Sequence, residues 1–183
     1  LDVQPGMRVI DACAGAGGKS LHLAAMMENR GQLIAMDIEA WKLTELKKRA
    51  KRAGAHNIET RWIENNKVIK RLHDTADRLL LDVPCSGMGV LRRNPDAKWK
   101  LKPEFIDNLQ ATQRHILENY AKMLRKGGKM VYATCSILPS ENEQQVQWFL
   151  AQQNGAFELC AERHCSPAQY GYDGFYMATL VRK

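Results

Sequence analysis

Leu79-Leu80-Leu81-Asp82-Val83-Pro84-Cys85-Ser86-Gly87 drives an uninterrupted apolar run into an acid, a proline and a cysteine. Such a run, bounded by Pro and Gly, reads as a strand buried on both faces of a parallel sheet and ending in a loop. Ligands of open α/β sheets sit just beyond the carboxyl ends of the strands. A second run, Lys129-Met130-Val131-Tyr132-Ala133, ends in the same way at Thr134-Cys135-Ser136. If the two strands are neighbours, Asp82, Cys85 and Cys135 converge on one pocket. Two thiols and an acid there suit nucleophilic chemistry.

Upstream, Pro5-Gly6 launches a short strand, Arg8-Val9-Ile10-Asp11-Ala12, which runs into Cys13-Ala14-Gly15-Ala16-Gly17-Gly18-Lys19-Ser20 and then a helical pattern. Glycines between a strand and a helix let the backbone approach a ligand closely. Alone that turn is weak evidence, because glycine turns are common in α/β folds. After Gly31 comes Gln32-Leu33-Ile34-Ala35-Met36, ending at Asp37. An acid at the end of the second strand, about 20 residues past the glycines, is placed to bind ribose hydroxyls. The pair implies an adenosine-bearing cofactor; the plainer reading of Asp37 is a helix cap. No P-loop lysine stands at the right offset, which favours a nucleoside cofactor without phosphates over ATP.

Downstream, residues 41–53 read as a helix with a solvated basic face, and Ile58 to Ile63 as a third strand ending at Glu64-Asn65-Asn66. Residues 67–72 read as a short helix. The segment Met88 to Lys102 leaves the strand end as a basic loop with one tryptophan, Trp99. Cations beside an aromatic suit single-stranded nucleic acid, and Arg92, Arg93 and Lys98 are the candidates. A merely exposed basic loop is the plainer alternative. From Pro103 a long helix carries Phe105, Leu109, Ile116, Leu117, Tyr120 and Leu124 on one stripe. Lys122, Arg125 and Lys126 would lie in its last turns, with Gly127-Gly128 as its stop. Ser140-Glu141-Asn142-Glu143 has the pattern of a capping box for the next helix. Residues 156–159 read as an edge strand, 160–173 as irregular and 175–181 as the last strand. The alternation gives an α/β, doubly wound, mostly parallel sheet. Dehydrogenases share that outline less well.

A chain of 183 residues with 26% charged and 45% hydrophobic residues suits one domain, residues 1–183, with no membrane-spanning run. A net charge of +7 raises the odds of a phosphate-rich partner. Five dispersed cysteines without a secretory pattern point to a reduced, cytoplasmic compartment. Cys160-Ala161-Glu162-Arg163-His164-Cys165 lacks a second ligand pair, so no metal is expected. The first residue is Leu1, and the expectation is a monomeric catalytic piece from the C-terminal part of a longer protein.

Taken together, these motifs resemble the RNA (cytosine-5)-methyltransferase family, of the Sun/Fmu rRNA methyltransferase type, over essentially the whole chain. Asp11 to Lys19 is similar to the family's cofactor loop, and Asp82 to Gly87 with Arg92 to Trp99 to its fourth motif. Tyr132-Ala133-Thr134-Cys135-Ser136 is similar to the sixth motif, and Asp173-Gly174-Phe175-Tyr176 resembles the closing strand. Two departures stand out: Ala16 where many members carry proline, and Glu64 or Asn65 where members carry aspartate. The accessory RNA-binding region that members carry ahead of this domain lies outside these residues.

The resemblance implies a Rossmann-like, seven-stranded, class I fold dependent on S-adenosylmethionine. It assigns the cofactor to Cys13, Ala14, Gly15, Ala16, Gly17, Gly18, Lys19, Asp37, Ile38, Glu64 and Asp82, with Ile38 on the adenine. It makes Cys135 the nucleophile toward cytosine carbon 6, with Cys85 assisting proton loss and release of the product. Asp82 would act at ring nitrogen 3, and Lys19 would hold the base and that acid. Physics alone does not choose between the two thiols. RNA is the implied partner, rRNA ahead of tRNA. Two other readings compete. Amino-group methyltransferases carry an aromatic in place of Cys85, and an RNA-binding module would need neither thiol.

Overall fold

The computed structural model describes residues 1–183. Its elements run β1 (Arg8–Asp11), α1 (Gly18–Met26), β2 (Gln32–Asp37), α2 (Ala40–Arg52), β3 (Ile58–Trp62), α3 (Asn66–Lys70), β4 (Ala76–Asp82) and α4 (Ala97–Lys100). Then follow α5 (Pro103–Tyr120), β5 (Leu124–Thr134), α6 (Glu143–Gln152), β6 (Phe157–Cys165), α7 (Pro167–Tyr170) and β7 (Phe175–Arg182). All seven strands form one sheet in the order β3-β2-β1-β4-β5-β7-β6. The first five are parallel, while β7 runs antiparallel to both β5 and β6.

The leucine run explains why β4 is central. Successive strand residues point to opposite faces. Leu79 and Leu81 therefore enter the larger core cluster, with Ile10, Ile34, Tyr132 and Phe149. Leu80 enters the smaller cluster on the other face, with Val9, Leu23, Leu33 and Val131. Each fully buried leucine contributes about 1.5–3 kcal/mol of transfer free energy. Charged residues in this run would strand a charge on one face or the other.

The chain builds outward from β1 to β3, then returns to lay β4 beside β1. The strand order thus reverses between β1 and β4, and a crevice opens at their carboxyl ends. Register completes the placement: Leu81 pairs with Tyr132 and Asp82 with Ala133. Cys85 and Cys135 therefore leave neighbouring strand ends together.

Three expectations need correction. The helix from Pro103 ends at Tyr120, and β5 already begins at Leu124. Between Ala76–Leu124 and Arg78–Lys129 the pairing slips, so Arg125 to Gly128 bulge out of the strand. Arg125 then pairs with Asp77 at 2.6 Å rather than meeting a helix terminus, and Phe105 is exposed, off the apolar stripe. Residues 160–165, read as irregular, continue β6 past a one-residue slip at Cys160. The capping box does not form: α6 starts at Glu143 with no side-chain cap, and Glu141 lies fully buried. No helix is long and apolar enough to cross a membrane.

Candidate active site

The glycine turn joins β1 to α1. Gly17 adopts φ +91°, and a Cβ there would stand 2.6 Å from Leu46 Cγ, so only glycine lets α1 approach α2 this closely. Gly15 N–H donates to Asp37 Oδ2 at 2.9 Å, and Glu39 N–H to Asp37 Oδ1 at 2.8 Å. The acid at the end of β2 thus ties the glycine turn to the start of α2. Beside it opens a cleft of about 460 Å³ lined by Cys13, Gly15, Asp37, Ile38, Glu64 and Asp82, all six anticipated. Ala14, Ala16, Gly17, Gly18 and Lys19 shape the turn but do not line the cleft. Asn65 caps α3, accepting from Lys67 N–H at 3.0 Å, and both Glu64 and Asn65 line the cleft. Thr112, His115, Ile116 and Tyr120 of α5 form the opposite wall, which the sequence reading missed. They share one helical face at spacings of three and four, a signal visible only once α5 is known to cross the cleft.

Asp11, beneath the turn, is buried, with Ser20 Oγ donating to Oδ2 at 2.7 Å and Oδ1 unpartnered. Burial pushes its carboxyl from 3.8 up to about 6. Between those values the folded chain holds a proton that the unfolded chain has released, so stability falls as pH rises through that window. Asp11→Asn should therefore raise Tm more above pH ~7 than below pH ~4, as read by thermal melts. An equal shift at both would place the titration elsewhere.

At the neighbouring strand ends the four expected chemical groups come together. Cys85 Sγ and Cys135 Sγ lie 3.3 Å apart, within reach of an S–H···S hydrogen bond. Lys19 Nζ donates to Asp82 Oδ2 at 2.6 Å and sits 5.9 Å from the centroid of the Phe175 ring. With one proton shared between the sulfurs, the hydrogen bond from Cys85 lowers the Cys135 thiol below its ordinary 9.0, while burial and the Asp82 charge oppose it. Lys19 helps least. The main cause is the neighbouring thiol rather than a basic side chain. Cys85 moves the other way, raised by that same bond and by burial.

The basic loop is sewn into the protein. Gly89 N–H donates to the Cys135 carbonyl at 2.9 Å, and Gly174 N–H to the Gly89 carbonyl at 2.8 Å. Arg92 Nη1 donates to the Gly171 carbonyl at 2.6 Å, and Arg93 Nε pairs with Asp173 Oδ2 at 2.7 Å. Of the three expected RNA contacts only Lys98 has no such tie; it stacks over the exposed Trp99 ring at 4.7 Å. A Cβ on Gly89 would stand 2.2 Å from the Gly174 oxygen and 2.8 Å from the Cys135 oxygen. Gly89→Ala should therefore cost about 3 kcal/mol, read by chemical denaturation. A wild-type midpoint would show that the three segments do not meet this closely.

A seven-stranded sheet with one reversed strand, and a carboxylate-walled cleft at its switch point, define the class I S-adenosylmethionine-dependent methyltransferases. The family model of the 16S rRNA methyltransferase RsmB/F matches residues 1–181, and the chain belongs to this family of RNA cytosine-5 methyltransferases. It is 40% identical over 199 residues to the probable ribosomal RNA small subunit methyltransferase B of Synechocystis sp., covering 100% of this chain and 44% of that protein. It is 39% identical over 162 residues to the tRNA (cytosine(72)-C(5))-methyltransferase NSUN6 of Mus musculus, covering 82% of this chain and 33% of that protein. The crystal structure of NSun6 from Pyrococcus horikoshii with SFG is similar at a TM-score of 0.88 and 27% identity, covering 99% of this chain and 49% of that one. The chain thus spans less than half the length of these relatives.

Proposed function

We propose that this domain transfers a methyl group from S-adenosylmethionine to carbon 5 of a cytosine in RNA, through a covalent bond to Cys135. The observation that carries the reading is the pair of sulfurs 3.3 Å apart beside a Lys19–Asp82 ion pair, at strand ends bordering the cleft. The cleft's donor set fits the cofactor. Asp37, Glu64 and Asp82 suit a ribose, an ammonium and a sulfonium, and the family depends on this cofactor. A polyphosphate would be repelled by the same carboxylates. When bound, the cofactor supplies an electrophilic methyl group.

Cytosine carbon 5 is a weak nucleophile until a group adds at carbon 6. The Cys135 thiolate, favoured by the hydrogen bond from Cys85, forms the sulfur–carbon 6 bond, and the electron pair of the ring double bond moves toward carbon 5. Asp82, held by Lys19, would need to carry a proton to donate to ring nitrogen 3, which is an acceptor, and in that form it would ease the addition. After transfer the carbon-5 proton passes to solvent, the electron pair of that carbon–hydrogen bond re-forms the ring double bond, and the sulfur–carbon 6 bond breaks, returning its electrons to sulfur. Cys85 lies where it can donate to that departing thiolate, a reason for two thiols where one suffices for attack.

Ribosomal RNA is the proposed substrate, supported by the family description and the small-subunit relative; the NSUN6 relative favours tRNA as the second reading. Lys98 and Trp99 are the proposed RNA contacts, and Arg92 and Arg93 act there chiefly by holding the loop. The test is methyl transfer from labelled S-adenosylmethionine by the full-length enzyme to transcribed 16S rRNA and to tRNA, with bisulfite mapping of the product. Label in rRNA at a cytosine supports the reading. Label only in tRNA would move the substrate, and label at no cytosine carbon 5 would overturn the function.

A further inference from the structure

Glu141 is fully buried, and neither the cofactor cleft nor the methyl-transfer steps above use it. Its carboxylate nevertheless accepts four hydrogen bonds. Oε1 takes Ser86 N–H at 2.8 Å and Gln113 Nε2 at 3.1 Å. Oε2 takes the hydroxyls of Ser86 and Ser136, each at 2.5 Å. These two serines directly follow the two thiols in the chain, Cys85 and Cys135.

The direction of each bond is fixed by its surroundings. Met88 N–H donates to Ser86 Oγ at 3.4 Å, and Leu138 N–H donates to Ser136 Oγ at 3.0 Å. With a lone pair so engaged, each hydroxyl points its proton at the carboxylate. The 3.2 Å approach of the two serine oxygens is then a consequence of sharing one acceptor. Gln113, from α5, donates through the same nitrogen to the Pro84 carbonyl at 3.0 Å. Residues beside Glu141 repeat the pattern: Tyr132 hydroxyl donates to the Glu141 carbonyl at 2.7 Å, and Asn142 Nδ2 to the Ser136 carbonyl at 3.1 Å.

An apolar side chain of similar volume would often stabilise a core as well as a buried acid does. What it would not do is fix two loops against each other, since dispersion contacts have no direction. We propose that Glu141 is a positioning residue that sets the separation of Cys85 and Cys135 by clamping the residues that follow them. The proposal rests on the reading that these two thiols carry the methyl transfer. Its logic is geometric: an S–H···S contact does not survive a displacement of about 1 Å, and misplacements of that size cost reacting groups up to about a hundredfold.

The experiment uses Glu141→Gln and Ser136→Ala in the full-length enzyme. Glutamine keeps the volume but sets an NH2 group among four donors, so at least one donor faces another. Ser136→Ala removes one bond of four and leaves the carboxylate hydrogen-bonded, so it decides the matter if Glu141→Gln does not fold. Alkylation of Cys135 by iodoacetamide, followed against pH by mass spectrometry, reports the thiol pair without any RNA. In Glu141→Gln the alkylation midpoint should rise toward the ordinary thiol value, slowing the reaction about tenfold near neutral pH. Methyl transfer should fall about thirtyfold or more, with S-adenosylmethionine affinity within about twofold of wild type. Ser136→Ala should shift both in the same direction by a smaller factor.

A wild-type alkylation profile in folded variants would overturn the proposal, and so would loss of methyl transfer without a shift in that profile. A shifted profile with unimpaired methyl transfer would uphold the clamp and sink the role of the thiols instead.

Discussion

Cys135→Ala should abolish methyl transfer and every covalent adduct with RNA, while Cys85→Ala should leave the protein cross-linked to RNA on a denaturing gel. The roles follow the family's motifs, in which the Cys135 position attacks, and the two sulfurs lie 3.3 Å apart, close enough for one to hold a proton while the other gives its own up. Removing Cys135 removes the attacking group, a loss of about a thousandfold or more, as for other covalent nucleophiles. Removing Cys85 slows the attack without preventing it, and it strips the donor that steadies the departing thiolate, so the adduct outlives its formation. Both variants should bind S-adenosylmethionine as wild type does, because neither sulfur lines the cleft. If Cys135→Ala traps RNA and Cys85→Ala does not, the roles are exchanged. If neither traps and both turn over, the chemistry is not covalent.

The second large effect belongs to Asp37. Its carboxylate is the acceptor for both Gly15 N–H and Glu39 N–H, so Asp37→Ala leaves two backbone donors without partners and lets the glycine turn drift from β2. Hydrogen bonds to a charged group are worth about 1.5–3 kcal/mol each, and cofactor affinity should fall about tenfold to a hundredfold. Calorimetry on Asp37→Ala reads this directly. Asp37→Asn keeps one oxygen and should fall between the two. Unchanged affinity in the alanine variant would remove Asp37 from the cofactor site.

The parallel half of the sheet was legible because strands buried on both faces leave continuous apolar runs, and Leu79 to Leu81 needs no partner to be read. The cleft was legible on its β side for the same reason: strand ends carry its acids. Its α5 side was not, since Thr112, His115 and Tyr120 look like ordinary helix positions until the helix is laid across the crevice. β6 was half missed because it is exposed on both faces and so shows no alternation. The start of β5 was missed because Leu124 continues the helical stripe and Gly127-Gly128 mimics a helix stop. Glu141 shows the sharper limit. The local pattern around it satisfied a capping box, while its actual partners, Ser86 and Gln113, lie 55 and 28 residues away in the chain. Local rules cannot weigh a contact of that range.

The reversed strand has a consequence for how the molecule is made. β7 is threaded between β5 and β6, and β6 has no other neighbour in the sheet. Until residues 175–182 leave the ribosome, the newly made β5 has an open flank and β6 has nothing to join. Domains emerge N-terminal part first, at about 5–20 residues per second, so the parallel half can settle while this flank waits. The same last segment brings Gly174, whose N–H fastens the Gly89 carbonyl, which in turn sits on the Cys135 loop. The tie from Gly174 to Gly89 therefore forms only once that segment is made, after the residues that Glu141 clamps beside the two thiols. A nascent chain that already folds its nucleoside-binding half still lacks this outer fastening of the loop that follows Cys85.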